Sequence, residues 1–188
     1  MDPTSLATDM LEIEKKYRLS EESRAATIVS LGEIGAVFLG EDSEENIIYG
    51  GDALGQGGAI VRIRKTQDRA VLTFKRRVEG QADVKQQLEY ETEVSDAEAV
   101  AKILTELGLT PNLVYEKRRR TWRFREVEVV VDELPFGLYM EIEGSITGIK
   151  EAEMLLGIQD LDTEHGTYPQ LTARLGKRKG EMFEARFG

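Results

Sequence analysis

The run Leu11-Glu12-Ile13-Glu14-Lys15-Lys16-Tyr17-Arg18-Leu19 decides how the rest of the chain is read. Side chains on a β-strand point to alternate faces, so Leu11, Ile13 and Lys15 share one face while Glu12, Glu14 and Lys16 share the other. The same arithmetic recurs downstream. Arg62 and Arg64 stand opposite Val61 and Ile63, and Lys75 shares a face with Thr73, opposite Leu72 and Phe74. Glu89, Glu91 and Glu93 align on one face of their strand, as Lys117 and Arg119 do on theirs. Asp132 shares a face with Val130, away from Val129 and Val131, and Glu141 and Glu143 face away from Met140 and Ile142.

Each strand alone fits an antiparallel sheet with one packed and one wet face. The set is harder to place on a solvent surface, because most strands carry charge of largely one sign on the polar face. Two carboxylates about 6 Å apart repel by roughly 0.7 kcal/mol in bulk water and by roughly 3 kcal/mol at an effective dielectric of 20. Water tolerates the first. A cleft or barrel, with the second, demands cations against the acidic strands and anions against the basic ones. Carboxylate oxygens suit Mg2+ or Mn2+, which bind a few carboxylates together with substrate phosphate oxygens. Arg and Lys suit the phosphates themselves. Acidic and basic strands around one cavity therefore describe a site for a metal-bound polyphosphate.

At 188 residues, 40% hydrophobic, the chain can build one compact domain with a sizeable core. A net charge of −10 opposes an extended phosphate backbone, so nucleic acid is not expected as a partner. The absence of cysteine excludes disulfides and thiolate zinc sites. Residues 1–10 are acidic and lack the basic and apolar regions of a secretory signal, and no apolar run is long enough to span a membrane. A soluble cytoplasmic protein is the simplest expectation, and a homodimer is compatible with it.

Between the charged strands, the pattern predicts helices. Ser20 caps one, with Glu21 and Glu22 in its first turn and Ala25, Ile28, Val29 and Leu31 as its apolar stripe before Gly32. Strands follow at 46–49 and Ala59–Lys65, around a turn holding Gly50, Gly51, Gly55, Gly57 and Gly58. A second pair, Ala70–Arg77 and 87–94, flanks a loop at Glu79-Gly80. Ser95-Asp96-Ala97-Glu98 has capping-box spacing and opens a helix with a Val100, Ile103, Leu104, Leu107 stripe ending at Gly108. Strands at 113–122, 127–132 and 138–143 and helices at about 150–156 and 170–175 complete a single domain over 1–176. Residues 177–188 read as a basic, disordered tail.

Glu12-x-Glu14-x-Lys16 resembles the opening ExExK signature of the CYTH superfamily, the triphosphate tunnel metalloenzymes. It is followed in order by Val61-Arg62-Ile63-Arg64, Leu72-Thr73-Phe74-Lys75, Glu89-Tyr90-Glu91-Thr92-Glu93-Val94, Lys117-x-Arg119, Asp132 and Glu141-Ile142-Glu143. The resemblance covers 11–143 and extends more loosely through Thr167-Tyr168 to about 171. It implies an α+β fold: an antiparallel eight-stranded tunnel with a polar lumen and helices packed outside. It further implies metal at Glu12, Glu14, Glu141 and Glu143, with Mg2+ or Mn2+ as cofactor. Phosphate oxygens would be held by Lys16, Arg62, Arg64, Lys75, Lys117 and Arg119. Asp132 would be a lumen acid joining Glu12, Glu14 and Lys16 in catalysis. Of the Glu89 run, Glu91 and Glu93 are the favoured lumen acids. Two departures stand out: Tyr49 is followed by Gly50-Gly51-Asp52 where relatives place aspartate directly, and Thr167-Tyr168 replaces a usual Ser-Tyr.

Three functions fit these residues. The first is metal-dependent hydrolysis of inorganic triphosphate, thiamine triphosphate or a nucleoside triphosphate. The second is cyclisation of ATP to cyclic AMP and pyrophosphate, which needs the same clamp but attack at a different phosphorus. The third is a non-catalytic polyphosphate-binding module. Other signals point nowhere further. The 50–58 stretch lacks the Gly-Lys-Ser/Thr ending of a P-loop, His165 reads as a surface or capping residue, and the aromatics in the basic 117–125 run are explained by strand alternation. Trp122 and Tyr139 fit either the core or the rim.

Overall fold

The computed structural model describes residues 11–54, 58–78 and 85–188. The acidic start at 1–10, the Glu79-Gly80 loop and the centre of the glycine-rich turn at 55–57 lie outside the described residues. The charged opening run forms β1 (Leu11–Leu19) and stops at Ser20. Ser20 then caps α1 (Glu21–Glu33): its hydroxyl accepts from the Ser23 N–H, and the Ser23 hydroxyl accepts from the Ser20 N–H. The chain continues through β2 (Val37–Gly50), a single 3-10 turn (Asp52–Leu54), β3 (Ala59–Lys65), β4 (Ala70–Arg77) and β5 (Lys85–Val94). After α2 (Ala97–Glu106) come β6 (Thr110–Phe124), β7 (Val127–Leu134), β8 (Gly137–Glu143), α3 (Ile146–Leu156) and α4 (Tyr168–Leu175). No helix among the described residues is long and apolar enough to cross a membrane.

Eight strands close on themselves in the order β2-β3-β4-β5-β1-β8-β7-β6 and back to β2, antiparallel at every junction. Closure removes the edges that an open sheet would expose. Period-2 alternation then sorts the side chains. Outward residues Tyr17, Trp122, Val129, Met140 and Ile142 pack with Leu31 of α1 and Ile149, Ala152 and Leu156 of α3. On the opposite flank Tyr49, Val61 and Ile63 pack with Leu104 and Leu109 around α2. At one end the inward positions turn apolar: Ile48, Leu113, Tyr115, Leu134 and Tyr139 meet Tyr168 and Leu171 from α4 and form a floor to the tunnel. Trp122 and Tyr139 are thus both core residues, one outside the ring and one in its floor.

Some expected elements are redrawn. β2 starts nine residues before the predicted 46, through the polar stretch Gly40-Glu41-Asp42-Ser43-Glu44-Glu45. Hydrophobicity does not make this strand; cross-strand charge does, since Glu41, Asp42 and Glu44 lie opposite Arg120, Arg119 and Lys117 of β6. The cap of α2 is Asp96, whose carboxylate accepts from the Glu98 and Ala99 N–H groups, so Ser95 does not serve. Of the stripes drawn on α1 and α2, Leu31 and Leu104 are buried, whereas Val29, Ile103 and Leu107 face solvent.

The tail is also corrected. β9 (Lys177–Lys179) and β10 (Met182–Ala185) form a hairpin whose turn uses Gly180 at φ 66°. β10 lies parallel to Leu113, Val114 and Tyr115, on the part of β6 that β7 does not reach. Ala185 joins the floor cluster, and Arg186 pairs with Glu45 and Glu116 at 2.7 and 2.9 Å. Local composition carries no sign of a partner some seventy residues away. Truncation after Gly176 should therefore lower stability by at least about 2 kcal/mol, the worth of one buried apolar side chain. Urea unfolding of the shortened and full chains measures this, and equal midpoints would mean that the hairpin contributes nothing.

Candidate functional site

Inward side chains of the ring line a cavity of about 500 Å³. β1 contributes Glu12, Glu14 and Lys16; β8, Glu141 and Glu143; β5, Gln87, Glu89 and Glu91. Across the lumen β3 contributes Arg62 and Arg64, β4 Lys75, and β6 Lys117 and Arg119. One wall is mainly acidic and the other basic, as the signs on separate strands had implied.

The walls are cross-linked by ion pairs. Lys75 Nζ lies 2.8 Å from Glu12 and 2.6 Å from Glu89. Arg62 and Arg64 converge on Glu91, each at 3.1 Å, and Thr73 donates to the same carboxylate at 2.7 Å. Lys16 Nζ sits 3.1 Å from Glu141, and Arg119 reaches the other oxygen of Glu141 at 2.6 Å. Arg119 also grips Asp132 through two hydrogen bonds of 2.8 and 2.6 Å. Behind this layer Lys117, 2% exposed, lies 3.2 Å from Glu44 and 3.6 Å from Asp132.

This crowding displaces protonation equilibria. Burial opposes the charge on Glu12, but its hydrogen bond with Glu89 and the Lys75 ammonium outweigh that and hold it down at about 2. Burial and the same contact drive Glu89 up, so this pair shares one proton. Burial and the charge of Glu12 also push Glu143 up to about 8. Burial would raise Glu44, yet Lys117, Arg119 and Arg64 together lower it to about 2. For Lys16 the carboxylates of Glu141 and Glu14 outweigh burial and raise its affinity for the proton, whereas for Lys117 burial and Arg119 prevail and lower it.

Most of the residues singled out in the sequence meet in this cavity, with two exceptions. Glu93 is exposed and stands opposite Val71 near the end of the β4–β5 ladder, beyond the lumen; Glu89 takes the place expected of it. Asp132 is wholly buried behind the lining, enclosed by Arg119, Lys117 and the Tyr168 hydroxyl at 2.7 Å, so it meets cations of the chain in place of a ligand. The structure adds Glu44, Glu128 and Tyr168 to the residues expected from the sequence. Glu128 shares the face of Val130 and Asp132 and was legible by the same parity; Glu44 became visible only with the β2–β6 register. His165 is exposed.

The donor set fits a divalent cation of the Mg2+ type. Glu14 and Glu143 are cross-strand neighbours, Glu128 is the next in the same row, and Glu12 and Glu141 flank them. Among the described residues no three acidic side chains converge as a ready-made metal cage. Mg2+ does not require one, because it takes one or two carboxylates, several waters and substrate phosphates.

Comparison with known proteins agrees with this geometry. The CYTH domain family model matches residues 10–168. No curated protein sequence matches the chain. Among solved structures, a protein from Pyrococcus horikoshii OT3 superposes with a TM-score of 0.74 at 23% identity, over 85% of this chain and 98% of its own. A Hippeastrum protein named as a candidate adenylyl cyclase that reveals a dominant triphosphatase activity gives 0.66 at 19% identity, over 92% and 99%. The Schizosaccharomyces pombe RNA triphosphatase Pct1 gives 0.52 at 13%, over 81% and 79%. At these identities the likeness is one of fold.

Glu44 permits a test of the buried charges. Its carboxyl ionises more readily in the folded than in the unfolded chain, so it adds stability above the unfolded value, and that contribution is lost as pH falls from about 4.5 towards about 2. Glu44→Gln should cost about 3 kcal/mol at neutral pH by leaving Lys117 with one carboxylate fewer, and the two proteins should converge near pH 2. Urea unfolding across this range reads both features; a constant difference down to pH 2 would contradict the pairing.

Proposed function

The chain belongs to the CYTH domain family, and from that we propose that it hydrolyses the terminal phosphate of a triphosphate held in the tunnel, with Mg2+ or Mn2+ as cofactor. The observation that carries the proposal is the confrontation of a basic and an acidic wall across one cavity, each already neutralising the other. A triphosphate with its cation can replace these internal partners one for one: phosphate oxygens take the acids' place at the basic wall, and the cation takes the lysines' place at the acidic wall.

Arg62, Arg64, Lys75, Lys117, Arg119 and Lys16 would bind and orient the phosphate chain and neutralise charge building on the leaving oxygens. Arg is suited to this because its planar fork meets two oxygens at once. Glu12, Glu14, Glu141 and Glu143 would hold the divalent cation, which supplies Lewis-acid polarisation of the phosphoryl oxygens when bound. Glu128, next to Glu143 in register, would orient a water and accept its proton as the oxygen attacks the terminal phosphorus and the bridging P–O bond breaks. Inorganic phosphate and a diphosphate leave.

Hydrolysis is preferred over cyclisation because the lining offers little to a purine. Apart from Ile60, Val130 and Pro169, its non-charged members are polar or belong to the aromatic floor, where Tyr115 packs at a tilt against Tyr168 and Tyr168 packs edge-on against Tyr139. Incubation with Mg2+ or Mn2+ and inorganic triphosphate, thiamine triphosphate or ATP should release phosphate without cyclic AMP. Cyclic AMP with pyrophosphate would replace hydrolysis by cyclisation, and saturable binding without turnover under every metal would leave a binding module. Glu14→Gln should keep the fold by circular dichroism and reduce turnover at least about a hundredfold, the scale of losing one group that stabilises transition-state charge.

A further inference from the structure

The loop between α3 and α4 is tied to β1 at several points. Gly157 ends α3 in a left-handed turn at φ 66°, and the chain then runs beside β1: the Arg18 N–H donates to the Asp162 carbonyl, the Glu164 N–H donates to the Lys16 carbonyl, and Tyr17 bridges Thr163. This strap ends at Thr167, whose hydroxyl caps α4, and delivers Tyr168 to the tunnel floor. Tyr168 is 6% exposed, yet it touches most of the inner cationic layer. Its hydroxyl donates to Asp132 at 2.7 Å. Its ring lies 4.0 Å from Lys16 Nζ and 5.4 Å from Lys117 Nζ. Asp132, so held, presents its oxygens to Arg119 and Lys117.

We propose that Tyr168 is a positioning residue that sets Lys16 through its ring, and Lys117 and Arg119 through Asp132, in the arrangement that grips the triphosphate. The inference rests on the triphosphate reading of the same cavity. A tyrosine suits the task because an aromatic face attracts an ammonium without neutralising it. Lys16 already pairs with Glu141 at 3.1 Å, and a further carboxylate at this place would add a second competitor for phosphate. The hydroxyl meanwhile occupies an Asp132 lone pair that would otherwise draw one of the cations out of line. Lys16 is fixed from the other side by the Gly166 carbonyl at 3.1 Å, so the strap and the ring together leave its ammonium aimed at the lumen.

The test is steady-state kinetics of the full chain on inorganic triphosphate with Mg2+, comparing Tyr168→Phe, Tyr168→Leu and, as a control for floor packing, Tyr139→Phe. Loss of a hydrogen bond to a charged group predicts that Tyr168→Phe raises KM about tenfold while kcat stays within a factor of about three. Tyr168→Leu should raise KM further, and Tyr139→Phe should leave it unchanged. In NMR spectra the Lys16 ε-methylene protons should be shifted upfield by the ring in the wild type and in Tyr168→Phe, and return toward ordinary values in Tyr168→Leu. If Tyr168→Leu does not fold, Tyr168→Phe alone decides. An active wild type with a Tyr168→Phe KM within twofold of its own overturns the positioning role and leaves the proposed function standing. A wild type that neither turns over nor binds inorganic triphosphate overturns both.

Discussion

Everything in this structure depends on keeping a double layer of charge inside a closed ring. A β-strand alternates faces, and a ring converts that alternation into inside and outside with no edge left over. The inside here is filled with ionised side chains, which would cost several kcal/mol each if they stood alone away from water. They do not stand alone. Lys117 is flanked by Glu44 and Asp132, Arg119 spans Asp132 and Glu141, and Lys75 spans Glu12 and Glu89. Opposite signs on neighbouring and facing strands make the lumen feasible, and the same opposition is what supports the proposed binding of a polyanion with its cation.

Because the lumen provides little apolar burial, stability has to come from outside the ring and from its floor. The outward halves of β1, β7 and β8 are covered by α1 and α3, those of β2 and β3 by α2, and the floor by α4 and the C-terminal hairpin. α1, α2 and α3 therefore bury the apolar alternates of strands whose other alternates are charged, and α4 closes the floor. The two periodicities are linked, since moving a strand by one residue would place its charges in the core and its apolar side chains in the lumen at once. Register is held strongly for that reason.

The same linkage explains what could be read from the sequence. β1, β3, β4, β5, β7 and β8 carry charge at alternate positions of one face, so their existence and most of their inward residues were legible. The first half of β2 was not, because Gly40 to Glu45 has no apolar alternation; its pairing with the cationic run of β6 is a contact between distant segments. Glu44 was hidden with it. The hairpin of β9 and β10 was hidden likewise, since its partner edge exists only once β7 has left the first part of β6 uncovered. Parity placed Glu89, Glu91 and Glu93 on one face and the family resemblance favoured Glu91 and Glu93, whereas Glu89 and Glu91 line the cavity and Glu93, paired with Val71 near the end of the β4–β5 ladder, does not. Parity likewise gave Asp132 the correct side without its depth: it faces inward but is buried beneath Arg119, which it holds by two hydrogen bonds.

Depth also orders the charges by purpose. Glu89 and Glu141 meet Lys75 and Lys16 on the neighbouring strand, while Glu12 meets Lys75 and Glu91 meets Arg62 and Arg64, all at the cavity surface. Glu44 and Asp132 also stand beside the cations they hold, opposite Lys117 and Arg119 in register, but they are buried outside the cavity lining. A basic wall that depended only on exchangeable partners would rearrange each time the phosphates left. Lys117 and Arg119 keep buried carboxylate partners of this kind, whereas Arg62, Arg64 and Lys75 are paired at the cavity surface. Preorganised charge of this kind is what stabilises a transition state at little further cost. The buried pairs thus make their main contribution through the geometry they impose, since ion pairs of this depth add little net stability over apolar packing.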